Sequence, residues 1–176
     1  MTKSTCAKLA WLLLGLLLVA CGPFGQNPAP DGQISFASDR SGAYKIYTMN
    51  ADGSRQARLT KGQADDRHPV WSPDGREIAF VSDRNGDDEI YVMSYDGNNV
   101  RRVTLDSARD GRPIWSNDGN QIVFDSARDG EDTIFLKTLE DDALVRLAGP
   151  NGSAHSPAWR PPPPPDDPIH VVDTPP

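Results

Sequence analysis

The chain has 176 residues, with 18 basic and 25 acidic side chains that give a formal net charge of −7. This length is enough for one ordinary domain and short for a long repeat array. An acidic chain without a basic cluster argues against a nucleic-acid-binding protein, because the phosphate backbone is bound by concentrated positive charge.

The N-terminal segment 1–20 differs in composition from the rest of the chain. Lys3 and Lys8 lie before an apolar, leucine-rich run over residues 9–19. This run is shorter than the ~20 apolar residues that span a bilayer, so it predicts a cleaved export signal rather than an anchor. Cys6 would leave with the signal, and the mature chain would keep one cysteine.

That remaining cysteine ends the string Leu18-Val19-Ala20-Cys21, which resembles the lipobox of bacterial lipoproteins. The resemblance implies that Cys21 is acylated and becomes the mature N-terminus; the alternative is an ordinary free or buried cysteine. Two or more acyl chains hold a protein firmly on a membrane surface. Because Gly22 stands where an inner-membrane retention signal has aspartate, the resemblance implies the periplasmic face of an outer membrane in a cell with two membranes, and otherwise the cell surface.

The central part of the chain repeats with a period of 44 residues. Trp71, Trp115 and Trp159 follow one another at this spacing, each two residues after a proline. The first two tryptophans are followed by a Ser-x-Asp-Gly turn, which is typical of a tight reversal between strands. A period of about 40–45 residues made of strands and turns is typical of propeller blades. The sequence therefore predicts an all-β fold, a β-propeller of four-stranded antiparallel blades.

Four short strands are predicted in each full repeat, joined by connections that only antiparallel neighbours can share. In the second repeat they are Val70–Ser72, Glu77–Ser82, Glu89–Ser94 and Val100–Thr104. The array is predicted to occupy residues 33–160. A flexible tether over residues 21–32 would precede it, and a proline-rich, disordered tail over residues 161–176 would follow.

The motif of the second repeat, Trp-Ser-Pro-Asp-Gly-Arg-Glu-Ile-Ala-Phe-Val-Ser-Asp-Arg-Asn-Gly from Trp71 onward, resembles the TolB-type β-propeller repeat. The resemblance covers nearly all of residues 33–160. It implies a six-bladed propeller in the family's namesake, a periplasmic protein of the Tol–Pal envelope system. The same repeat also serves prolyl-oligopeptidase-like enzymes as a gating domain. This sequence departs from the family pattern in having three repeats.

The strands of the three repeats do not make up three complete four-stranded blades. The first repeat begins at Ile34 without an innermost strand, and one strand, Ser156–Trp159, is left over after the third. Because propellers typically hold four to eight blades, we expect two chains to form a six-bladed homodimer, each lending its Trp159 strand to the other's first blade. The alternatives are an open wedge of three blades and a fragment of a longer gene.

The loops that enter the innermost strands vary between repeats and predict a partner-binding rim at the mouth of the channel. The candidate rim residues are Asp66, His68, Asp110, Arg112 and His155. A solvated rim without a binding role is the alternative. The repeated Asp-Gly pairs are interpreted as hairpin turns. The aspartate of the repeated Ser-Asp-Arg motif at residues 38–40 and 82–84 is expected to accept backbone amides of the following loop.

Two functional classes remain for such a chain. The first is a lipid-anchored binding or scaffold module that engages an envelope protein or a glycan. The alternative is a propeller-type hydrolase or lyase that uses rim acids and histidines. The first is favoured because the sequence has no Gly-x-Ser-x-Gly elbow and no phosphate-binding glycine loop. With three histidines and no ligand-like spacing, no metal or other cofactor is expected.

Overall fold

The computed structural model describes residues 32–148 and 152–161. Within these residues the chain forms three antiparallel sheets, called here blades 1, 2 and 3. Blade 1 contains β1 Gln33–Ser41, β2 Ala43–Asn50 and β3 Ala57–Arg58. Blade 2 contains β4 Asp66–Trp71, β5 Glu77–Ser82, β6 Glu89–Ser94 and β7 Arg101–Arg102. Blade 3 contains β8 Asp110–Trp115, β9 Gln121–Ser126, β10 Thr133–Thr138 and β11 Leu144–Arg146.

Each sheet is a meander in which consecutive strands are hydrogen-bonded neighbours. This order follows from the short turns, since connections of six residues or fewer can join only adjacent antiparallel strands. The all-β fold and the four-stranded antiparallel blades are confirmed. None of the described residues belongs to a helix long and apolar enough to cross a membrane.

The middle strands of blade 2 are apolar on both faces because each face packs on a different neighbour. Towards blade 1, Ile78 and Phe80 pack with Ile46 in one buried cluster. Towards blade 3, Ala79 and Val81 join a second cluster, whose blade 3 members are Trp115, Ile122, Phe124 and Phe135. Successive residues of a strand point to opposite faces, so a blade packed on both sides needs this continuous apolar run.

The inner strands depart from the sequence prediction. The second blade's inner strand begins at Asp66, four residues before the predicted start at Val70. It does so by passing through a β-bulge between Arg67 and Val70, where His68 has a φ of 51°. Pro69 cannot donate to the ladder, and the bulge places this residue where no ladder bond is required.

The outer strand of blade 2 is shorter than predicted, because Arg101–Arg102 replaces the expected Val100–Thr104. The amides of Val103 and Thr104 both donate to the carbonyl of Ile90, at 2.8 and 3.4 Å, which ends the regular ladder. Thr104 then accepts the Ile90 amide on its own hydroxyl at 2.9 Å.

The segment after blade 3 also differs from the prediction. Residues 152–161 form no strand, although a strand was expected over Ser156–Trp159. A strand requires a hydrogen-bonded neighbour, and none of the described strands pairs with this segment. The predicted signal 1–20 lies outside the described residues, as do the predicted tether 21–32, with Cys21, except for its last residue and the predicted tail 161–176 except for its first.

Candidate functional site

The inner strands of blades 2 and 3 begin with a buried aspartate that is held by an arginine of the same blade. Asp110 is fully buried, and both of its carboxylate oxygens accept from the Nη2 of Arg128, at 2.8 and 3.0 Å. In blade 2, Asp66 is equally buried and its Oδ1 accepts from Arg84 at 3.0 Å. A carboxylate this deeply buried requires such a partner, because an unpaired ion would be strongly destabilising.

The arginine is itself fixed by a serine two residues earlier and by two aromatic rings. Arg128 Nε donates to Ser126 Oγ at 2.9 Å, and its guanidinium carbon lies 4.7 Å from the centroid of Phe135. The stacked partner ring, Phe124, is 5.6 Å from that carbon. Cation–π contact and hydrogen bonding together hold the guanidinium over the sheet. Burial raises the pKa of Asp110, while the bonds from Ser126 and Arg128 oppose that rise.

This arrangement changes the interpretation of two predicted rim residues. Asp66 and Asp110 were expected on a loop at the mouth of the channel, but they lie on strands β4 and β8 and are inaccessible to solvent. Their location on an exposed rim was wrong, because the bulge extends each strand back to the aspartate. Their carboxylates are occupied by structural ion pairs.

The Ser-Asp-Arg motif has a different function from the one expected for its aspartate. Asp83 Oδ1 accepts the amide of Asp65 at 2.8 Å, in the loop before β4 rather than in the loop that follows Asp83. Serine and arginine are the members that recur. This explains why the third repeat can replace aspartate with Ala127 and still hold its buried acid.

The other predicted rim residues are accessible at the bulges or beyond them. His68 and Arg112 occupy equivalent bulge positions with φ values of 51° and 48°, and Ser156 continues the series at 57°. His68 and His155 are exposed, and Arg112 is partly so. This backbone conformation is uncommon for residues other than glycine and turns the side chains out of the sheet.

A group that we call the rim cluster lies at the inner end of blade 3 and contains Arg112, Asp125, His155 and Ser156. Arg112 Nη1 lies 3.5 Å from Asp125 Oδ2 and donates to Ser156 Oγ at 3.4 Å. His155 Nδ1 lies 3.2 Å from the same hydroxyl. Arg112 and His155 were predicted from the sequence and are brought together here, while His68 lies one blade away.

Asp125 and Ser156 are the members of the rim cluster that the sequence analysis missed, and Asp125 is the buried one. It is 2 % exposed, and its Oδ1 has no hydrogen-bond partner among the described residues. Burial raises its pKa, and the nearby charge of Arg112 lowers it by a smaller amount. The signal was available in the repeat register, because the equivalent positions hold Ala37 and Val81. A carboxylate at an otherwise apolar position marks a local departure from the repeat.

The rim cluster offers charged and hydrogen-bonding groups that can recognise a partner. Nucleophilic catalysis needs a base that is oriented by a third group. Within the part of the chain that the structure describes, no carboxylate is hydrogen-bonded to His155. No group of three or more metal-ligating side chains occurs within residues 32–148 and 152–161.

Stacked four-stranded blades of this kind define a repeat protein of the β-propeller class. A family model described as the TolB beta propeller domain matches residues 25–163. The chain belongs to this family.

The individual relatives are longer than the matched part of this chain. The Tol-Pal system protein TolB of Geobacter sulfurreducens is 43 % identical over 56 residues, which are 32 % of this chain and 12 % of that protein. The structure of putative TolB from Agrobacterium tumefaciens has a TM-score of 0.61 and 28 % identity, covering 67 % of this chain and 46 % of that one. This chain thus spans less than half of either relative.

An enzyme shares the same fold at lower identity. An oligogalacturonate lyase in complex with manganese has a TM-score of 0.54 and 21 % identity, covering 68 % of this chain and 34 % of that one. At this identity the likeness concerns the fold alone, since one fold supports unrelated functions.

Proposed function

We propose that this chain is a binding module of the bacterial cell envelope, held on a membrane by lipid on Cys21 and engaging an envelope protein through its rim cluster. The observation that carries the proposal is the rim cluster itself, in which Arg112, His155 and Ser156 meet at the open inner end of blade 3. Membership of the TolB propeller family supports the envelope setting. A glycan is the second class of ligand that these groups could bind.

The binding proposal is tested by site-specific photocrosslinking in intact cells that express the full chain. Probes replace His68, Arg112 or His155, and the control probe replaces Arg55, an exposed residue of the turn between β2 and β3. We expect one discrete protein adduct from the rim positions and none from the control. The same adducts from all four positions, or none from any, would overturn the proposal.

Lipid attachment is tested separately by mass spectrometry of the mature N-terminal peptide. We expect a peptide that begins at Cys21 and carries acyl chains, and we expect Cys21→Ser to abolish both the processing and the membrane retention. An unmodified Cys21 in a membrane-free protein would contradict the anchor while leaving the rim proposal open to the crosslinking test.

The proximity of His155 and Ser156 is the observation that favours a second candidate, a propeller-type hydrolase or lyase. Loss of a measured turnover in His155→Ala, with the melting temperature unchanged, would support the enzyme. Asp110→Ala is unsuitable for this test because it removes a buried structural charge. As a further part of the proposed function, two copies of the chain present the rim together as a homodimer, with contacts derived in the next subsection.

A further inference from the structure

We infer that two copies of this chain join by strand exchange, in which residues 154–159 of each copy become the innermost strand of blade 1 in the other. The inference rests on the homodimer of the proposed function and deepens it by assigning the residues through which the two copies join. The binding role of the rim cluster is tested separately by photocrosslinking, so either can fail without the other. The strand exchange is inferred from two features of residues 32–148 and 152–161. Among these residues, the segment after blade 3 has no partner strand, and one edge of blade 1 has no neighbouring strand.

The donor segment makes the hydrogen bond with which an inner strand begins in this protein. The amide of Ala154 donates to the carbonyl of Asp132 at 2.6 Å. One repeat earlier, the amide of Asp110 makes the equivalent bond to Asp88 at 2.8 Å at the start of β8. The segment therefore docks on blade 3 as β8 docks on blade 2, and lacks only the strand beside it.

The acceptor is the free edge of β1. In blades 2 and 3 the equivalent edge pairs with the inner strand, in the registers Trp71↔Ile78 and Trp115↔Ile122. β1 pairs with β2 alone among the described residues. The repeat register then predicts that Trp159 of one copy lies opposite Ile34 of the other. An exposed edge of this kind readily adds a strand from another chain.

The two open ends expose apolar side chains whose counterparts between blades are buried. Ile34 is 41 % exposed, whereas its equivalents Ile78 and Ile122 are fully buried. At the other end, Leu147 is 53 % exposed and Trp159 is 37 % exposed.

The open face of blade 3 also contains an apolar cavity of about 190 Å³. Its lining residues are Val123, Ile134, Leu147, Pro157, Ala158 and Trp159. Position 123 corresponds to Ala79, which is fully buried against blade 3. Both ends therefore offer one half of the contact that blades 2 and 3 already make.

A second copy is the occupant that this geometry favours, rather than the chain's own segment. Closing the segment onto its own β1 would require a ring of three blades, below the four to eight that propellers contain. Two copies related by a two-fold axis would place three blades each in a ring of six. Each copy then supplies the same donor and the same acceptor, as an isologous contact requires.

The first experiment is disulfide trapping of the predicted register in the full chain, purified from membranes. Ser35→Cys with Ala158→Cys places the two thiols at the positions of the observed pairs Val70↔Ala79 and Ile114↔Val123. We expect an intermolecular disulfide on oxidation. The matched control, Ser35→Cys with Pro157→Cys, moves one thiol to the opposite face and should not crosslink. Equal crosslinking of both pairs, or none in the folded protein, would overturn the inference.

The second experiment compares the mass of the detergent-solubilised chain by native mass spectrometry. We expect twice the mass of one chain for the wild type and a single-chain mass for Ile34→Asp. The control Val100→Asp alters a side chain of similar exposure, 42 % against 41 %, that lies away from both open ends. It should leave the double mass unchanged, which excludes association through shared lipid or detergent. A wild type of single-chain mass, or a double mass that survives Ile34→Asp, would sink the proposal.

Discussion

Buried charges are the residues on which the stability of each blade depends most sharply. Arg128 forms a salt bridge with Asp110, and Arg84 forms one with Asp66. Each arginine also lies over a stacked pair of aromatic rings. In blade 1 the equivalent Arg40 lies over Phe36 and Tyr47 but is exposed and donates to Gln56 instead. One motif thus has two energetic roles, depending on whether an acid from an inner strand is present.

The first prediction compares the two kinds of arginine. Arg128→Ala should destabilise the protein by about 3–5 kcal/mol, because it leaves Asp110 charged, buried and unpaired. Arg40→Ala should cost about 1 kcal/mol or less, since it removes an exposed cation–π contact. Urea unfolding of both variants measures the difference. The double variant Asp110→Ala with Arg128→Met should recover most of the loss, and equal costs for the two single variants would refute this account.

The second prediction concerns Asp125, whose pKa burial raises. A carboxyl with a raised pKa binds its proton more tightly in the folded state. Its contribution to stability is therefore full at pH values below the unfolded pKa and is lost as the pH rises through the folded pKa. At neutral pH the ionised group destabilises the fold, so Asp125→Val should increase the free energy of unfolding by about 1–2 kcal/mol.

The increase in the free energy of unfolding caused by Asp125→Val should become smaller as the pH falls, because protonation removes the charge of Asp125 in the wild type as well. Unfolding measured at neutral and at acidic pH tests this, with Asp125→Asn as the variant that removes charge and keeps shape. A gain that is independent of pH would show that packing rather than charge is the cause.

At the scale of the elements, the turns between strands do more than reverse the chain. The turn before β7 contains Gly97, where an added Cβ would lie 2.9 Å from the carbonyl oxygen of Leu59 in blade 1. The same turn in blade 1 contains Gly53, with open space around the equivalent position. Both glycines have left-handed φ values, +84° and +81°. The turn of blade 2 is therefore also a contact between blades.

The third prediction uses these two glycines as a matched pair. Gly53→Ala should cost about 1 kcal/mol, because only the left-handed backbone is penalised. Gly97→Ala should cost about 2 kcal/mol more, since a backbone atom of the neighbouring blade must also move. Thermal or urea unfolding of both variants provides the comparison. Equal costs would mean that blades 1 and 2 adjust freely at this contact.

For the whole molecule, the open ends are the dominant feature. Two buried clusters join the blades, while apolar side chains at β1 and at the segment after blade 3 are exposed within the part of the chain that the structure describes. Burying such faces is favourable in proportion to the apolar area removed from water. The proposed exchange of residues 154–159 would complete both ends and produce an enclosed channel lined by inner strands.

The fourth prediction follows from mass action. If two chains form the folded ring, the melting temperature should rise with protein concentration, by roughly 2–4 °C for each tenfold increase. Ile34→Asp should abolish this dependence, and Val100→Asp should retain it. Differential scanning calorimetry over a hundredfold concentration range gives the measurement. A wild-type melting temperature that does not change with concentration would argue for a stable single chain.

The repeat register by itself determines much of the fold of this protein. A fixed period of 44 residues places equivalent apolar residues in equivalent strands, so β5 and β6 were predicted with their observed bounds. Periodicity reports the alternation of faces and the turns, and these are local properties of the chain. The propeller class and the family follow from the same pattern.

Tertiary structure decided what the register could not. Whether Asp66 and Asp110 face solvent depends on a bulge and on an arginine 18 residues away in the sequence. Likewise, the charge of Asp125 matters because blade 3 buries it. Trp159 is not part of a strand, since none of the described residues pairs with its segment. Burial and pairing arise from contacts between distant segments, which no local pattern specifies.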